Sequence, residues 1–196
     1  LRVGDNGFEL VPGARVDMPE DLRHAWRQRV EELLLHLSVD EVHALELAAV
    51  FGNHVNPTEW AAACRLTRAD GSARLVDLML AGRLVRRVEG EEGWRFSHPM
   101  YREVLQVRAR ENRRLARLHL ACARALQEGG ARRPGVSERL GRHLLMAGEP
   151  LPATAAMLRA AEERLAQRQL AQVERILDAR GETLRRLDTP EQDRLW

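Results

Sequence analysis

Apolar residues recur along this chain at three- and four-residue intervals, interrupted at a few glycines and prolines, and the rhythm predicts mostly helix. Leu22, Trp26, Val30, Leu33 and Leu37 share one face of a first helix that Asp17 is placed to cap. Ser38 and Glu41, three apart, form a capping box for a second helix with Val42, Leu45 and Ala49 inward and Gly52 at its end. Asn56, Pro57 and Glu59 open a short third helix that ends near Leu66: an N-cap, a proline at the first helical position and an acid in the first turn. A fourth carries Leu75, Leu78 and Met79 inward and closes at Gly82.

Two stretches change period. "LRVGDNGFELV" alternates loosely around Asp5-Asn6-Gly7, which predicts a hairpin over residues 1 to 11, and Pro12 with Gly13 then breaks the chain. "LVRRV" and "WRF" flank the acidic turn "EGEEG" and predict a second hairpin. From Pro99 onward the pattern is helical, with Leu105, Leu115, Leu118, Cys122 and Leu126 as a core face up to "EGG" at 128 to 130. "SERLGRHLLMAGE" and "LPATAAMLRAAEERLAQ" then read as a helical pair, and "LAQVERILDARGETLRRL" starts another.

The expected fold is therefore mainly α. Three helices followed by a hairpin are the plan of a winged helix domain with a small β-hairpin wing, and short-linked helical pairs are the plan of a tetratricopeptide-like (TPR-like) α-solenoid. The expected divisions are a linker or hairpin from an upstream domain over 1–17, the winged helix over 18–97, a connecting helix over 98–111 and TPR-like repeats over 112–196.

Composition narrows the function classes. With 196 residues, 44% hydrophobic and 31% charged, the chain can bury one large or two small cores. Its longest apolar runs fall far short of the about 20 residues a membrane span needs, and no signal segment opens it, so a cytoplasmic location is expected. Basic and acidic residues number 31 and 29, and all the basic ones are arginine, which points to coding bias rather than to a phosphate-binding surface. Cys64 and Cys122 lie in apolar helical patterns without metal-ligand spacing, so plain burial is expected. The chain opens on Leu1 and ends on Trp196 within a helical pattern, as a piece of a longer protein would.

No catalytic or metal-binding constellation emerges. The seven histidines are scattered, with His36 and His43 on different predicted helices and no HExxH; His119 and His143 are expected to pack against neighbouring helices. No GxSxG elbow surrounds a serine, and Glu162-Glu163 reads as a solvated helix face. The sequence "VRARENRRLAR" over 107–117 is the densest positive run, and two readings of it stand: a solvated face, or an interdomain docking surface built on Arg110, Arg113, Arg114 and Arg117 that takes the acidic wing or another domain. A DNA-reading winged helix would place "GSARLVDLMLAG" in the major groove. That segment offers Arg74 but also Asp77, and although Arg86, Arg87 and Arg95 lie on the wing, its tip carries Glu89, Glu91 and Glu92, so DNA binding is disfavoured.

Taken in order, "LELAAVFGNHVNPTEWAAACRL", "LMLAGRLVRR", "WRFSHPMYREVL", "RRLARLHLACARAL" and "RHLLMAGEPLPATAAMLRAAEERL" resemble the region that follows the ATPase module in bacterial signal-transduction ATPases with numerous domains (STAND ATPases), among them large LuxR-type and AfsR-like regulators and some multidomain kinases. The resemblance covers roughly residues 18 to 180. It implies a winged helix that closes over nucleotide held by an upstream ATPase domain, and repeats that sense a protein or small-molecule inducer. This chain has no GxxxxGK[ST], so the resemblance puts ATP or ADP in the upstream domain and no cofactor here. Related ATPases carry a Met-His-Asp motif where the wing meets the next helix, and its histidine touches the phosphate of ADP. Ser97-His98-Pro99 is similar in place, with the methionine and aspartate replaced. His98 thereby becomes a nucleotide-sensing candidate at a helix N-terminus; on the other reading Ser97 caps that helix, Pro99 rigidifies its first turn and His98 is a satisfied or solvated side chain.

Overall fold

A computed structural model describes residues 2–4, 7–9, 20–88, 90, 92–129 and 135–187. The Asp5-Asn6 turn, Pro12, Gly13, Asp17, Glu89, Glu91, the Leu22 side chain and residues 188–196, on all of which expectations fell, lie outside the described residues. The chain is mainly helical with a small antiparallel sheet. Strands β1 (Arg2–Gly4) and β2 (Gly7–Glu9) pair as the expected hairpin, Val3 opposite Phe8. Helix α1 (Glu20–Leu34) follows, and Leu37 falls in the turn beyond it rather than on its face.

Helix α2 (Val39–Phe51) starts at the capping box foreseen for it: the Glu41 amide donates to Ser38 Oγ at 3.2 Å and the Ser38 amide to Glu41 Oε2 at 2.8 Å. It ends at Gly52, whose φ of 140° lies outside the range open to most side chains. Most of its residues are buried on every side, which makes α2 the central helix rather than a surface one. Strand β3 (His54–Val55) comes next, then α3 (Pro57–Thr67), whose N-cap Asn56 accepts from the amides of Thr58 and Glu59. Helix α4 (Ala73–Ala81) buries Leu75 and Met79 completely and leaves Leu78 half-buried.

Strands β4 (Val85–Arg87) and β5 (Trp94–Phe96) make the expected hairpin, but the sheet has a third member, in the order β3-β5-β4 with Val55 opposite Trp94. The two-stranded expectation is thus corrected to three strands; two residues are too short to show a period. Gly93 makes the pairing possible. At φ 102° it brings the backbone so near β3 that a Cβ there would meet the Val55 carbonyl oxygen at 2.1 Å.

Helix α5 (Pro99–Glu111) leads into α6 (Leu115–Glu128), α7 (Val136–Ala147), α8 (Pro150–Ala166) and α9 (Leu170–Arg186). Successive members of α6 to α9 pack on one another, while α5 packs on α1 and α2, and α6 also meets α2 and α3. One apolar cluster runs from Val30 of α1 through Leu45, Trp60, Leu75 and Trp94 to Leu105, Leu126, Leu144 and Ala156 of α8. No described helix is long and apolar enough to cross a membrane.

Candidate functional site

Helix α5 begins where β5 ends, and the residue at that joint is His98. It is the N-cap: its extended backbone (φ −143°, ψ 141°) turns the chain, and its Nδ1 accepts the Met100 amide at 3.2 Å. Ser97 was expected in that role; instead its amide donates to the Leu84 carbonyl at 2.8 Å, tying the chain back toward β4. An imidazole is not among the usual N-cap side chains, whereas a serine is, which is why the local pattern points to Ser97. The imidazole is half-buried, lying on the Trp26 indole of α1 with ring centroids 4.2 Å apart and planes 15° apart.

These contacts fix the chemistry of the ring. A neutral imidazole whose Nδ1 accepts carries its proton on Nε2, so His98 presents one N–H donor besides its stacked face. The helix terminus behind it has less to offer an anion than such ends usually do. Pro99 has no amide hydrogen, Met100 gives its own to His98, and Tyr101 donates to the His98 carbonyl at 3.2 Å. A phosphate at this joint would therefore be met by His98 Nε2–H, not by a cradle of backbone amides.

The arginine run behind the joint divides in two. Arg110, Arg113 and Arg117 are exposed, and Arg113 takes a left-handed conformation (φ 56°) at the turn from α5 to α6. Arg114 is committed inside the fold: its Nε and Nη2 donate to both oxygens of Glu46 at 2.9 and 2.6 Å. The Glu46 carboxylate is fully buried, and Arg108 stands 3.5 Å from it. The geometry is a two-pronged guanidinium–carboxylate pair, which holds α2 to the start of α6 by both distance and direction. Arg102 and Gln106 of α5 add donors to the Ala49 carbonyl of α2, at 3.1 and 2.8 Å. Nothing in the local sequence marks Glu46, because its partner lies 68 residues away.

His119 and His143, expected to pack, do so against each other, their Nδ1 atoms 2.9 Å apart between α6 and α7. One ring must donate and the other accept, so the accepting ring has a bare Nδ1. Burial holds the protonation of each well below the ordinary imidazole range, and the positive charge of Arg142 adds to it for both. Among the described residues His143 Nε2 has no hydrogen-bond partner, and the ring meets the Phe51 ring edge-on at 6.0 Å.

Other charged side chains are similarly engaged. Arg74, the base-reading candidate, is paired with Glu41, whose acidity is raised chiefly by the Ser38 amide and further by Arg74. Arg139 of α7 grips Glu59 of α3 through both oxygens, at 3.2 and 2.6 Å. Glu163, read as solvated, accepts the Ser137 hydroxyl across α7 and α8. Cys64 and Cys122 are unpaired and buried, and burial pushes the Cys64 thiol up to about 12. Among the described residues no group of three or more histidines, cysteines or carboxylates could hold a metal ion.

No family model, curated protein or solved structure matches the chain.

Proposed function

We propose that the chain is a non-catalytic regulatory module: a winged helix formed by α2, β3, α3, α4, β4 and β5, coupled through α5 to a TPR-like array of α6 to α9. In this reading it belongs to a longer signal-transduction ATPase, passing the nucleotide state of an upstream domain to repeats that bind an inducer or protein partner. The observation that carries it is the continuity across the joint. Glu46 on the central helix binds Arg114 at the head of the array, and α2 packs on both α5 and α6, which supports reading the sheet-bearing unit and the helical pairs as one rigid lever. His98, whose Nε2–H is the donor left at the joint between β5 and α5, is the nucleotide-sensing residue of this reading.

The DNA-binding alternative draws less support, because Arg74 spends its guanidinium on Glu41. An adaptor that uses the repeats without any ATPase remains the other class. The test is His98→Ala in the longer protein: ADP retained through purification should fall at least tenfold and basal output should rise. Unchanged ADP affinity would remove His98 from the mechanism, and a parent without a P-loop domain would turn the reading into the adaptor.

A further inference from the structure

Helices α7 and α9 form the walls, and α8 the floor, of an open groove of about 540 Å³. Its floor is apolar, with Met157 and Ala160 facing Leu145 and Ile176 from the two walls. Four arginines rim it: Arg139, Arg142, Arg164 and Arg175. Two of these are neutralised within the fold, Arg139 by Glu59 and Arg164 by Glu138 at 2.7 Å. The others are not: Arg142 and Arg175 are exposed, and neither pairs with a carboxylate among the described residues. The groove is thus an apolar channel with uncompensated positive charge on both walls.

Its shape selects the occupant. Lining residues run from Gly135 to Leu145 on one wall and from Gln172 to Ala179 on the other; at 1.5 Å per residue that is a trough about 10 to 15 Å long, two to three turns of helix. A compact anion would fill one end and leave the apolar floor wet, whereas an amphipathic segment covers the floor and places acids over both rims. We infer that the groove between α7 and α9 is a docking site for an acidic amphipathic helical peptide, its carboxylates on Arg142 and Arg175 and its apolar face on Met157 and Ile176. After burial, the Arg142 charge also disfavours protonation of His119 and His143. An acid arriving at the rim meets a field that favours it.

The inference rests on the reading of the repeats as a binding surface, and it fails or stands apart from the His98 experiment. The probe is a fluorescein-labelled fourteen-residue helical peptide with leucines at three- and four-residue spacing and glutamates elsewhere, titrated into the full chain by anisotropy. It should bind; the same peptide with lysines for glutamates should not; and R142E with R175E should weaken it at least tenfold at unchanged melting temperature, both side chains being exposed. Inorganic phosphate should fail to displace it. Absent binding, an indifferent double variant, equal binding of the lysine peptide, or full displacement by phosphate overturns the assignment. Hydrogen-exchange protection on α1 and α5 in place of α7 to α9 overturns it too, while leaving the lever untouched; unchanged ADP retention in His98→Ala with groove binding intact removes the lever alone.

Discussion

Arg114→Ala would leave the fully buried Glu46 carboxylate, among the described residues, with only Arg108, at 3.5 Å, to answer its charge. Removing one partner of a buried pair costs more than the pair itself contributes, since the remaining charge has lost its water as well. We expect a loss of about 3 kcal/mol in urea unfolding, the low end for such pairs because Arg108 stays. Arg117→Ala, exposed and outside this cluster, should change stability by less than about 0.5 kcal/mol. The buried histidines set the pH response. Both are neutral in the fold, with protonation depressed by burial, whereas in the unfolded chain each titrates near 6.5. The unfolded state therefore binds more protons below that value, and stability, complete above it, declines as the pH drops. At pH 5 the decline is about 2 kcal/mol per histidine, from the 1.5 units below 6.5. His119→Gln with His143→Gln should flatten the profile between pH 7 and 5; a profile as steep as the parent's would assign the dependence to other groups.

Elements whose start is written in neighbouring residues were legible in the sequence. Ser38 with Glu41 and Asn56 with Pro57 act within three residues of themselves, and α2 and α3 begin where they stand. The joint at β5 and α5 was legible in place but not in detail, because the cap is an imidazole held by Trp26, more than seventy residues earlier in the chain. Strand β3 and the Glu46–Arg114 pair were not legible: one is two residues long, the other spans elements far apart in sequence. The sheet offers a sharp test at this scale. Gly93→Ala puts a methyl group 2.1 Å from the Val55 carbonyl oxygen in a left-handed backbone, so β3 must part from β5. The expected cost is about 3 kcal/mol. Gly90→Ala, also at positive φ (75°) but with nothing within 4 Å, should cost about 1 kcal/mol. Equal melting points for the two variants would mean that the close approach does not hold the sheet together.

At the scale of the molecule, the apolar cluster has no seam between the sheet-bearing unit and the helical pairs: Leu45, Leu105 and Leu126 belong to it together. The sequence divided these parts by pattern, the period changing at Pro99, yet packing joins them through α2 and α5. The expected outcome is a single unfolding transition, calorimetric and van't Hoff enthalpies agreeing; two resolved transitions would show that the halves melt separately.

The placing of the cysteines makes that comparison local. Cys64 lies in α3 and Cys122 in α6, one on each side of the joint, and burial keeps both as protonated thiols, which alkylating reagents do not attack. Each becomes reactive only when its surroundings open, so mass-resolved labelling reads two clocks in one chain. Clocks that keep the same time belong to a body that opens all at once.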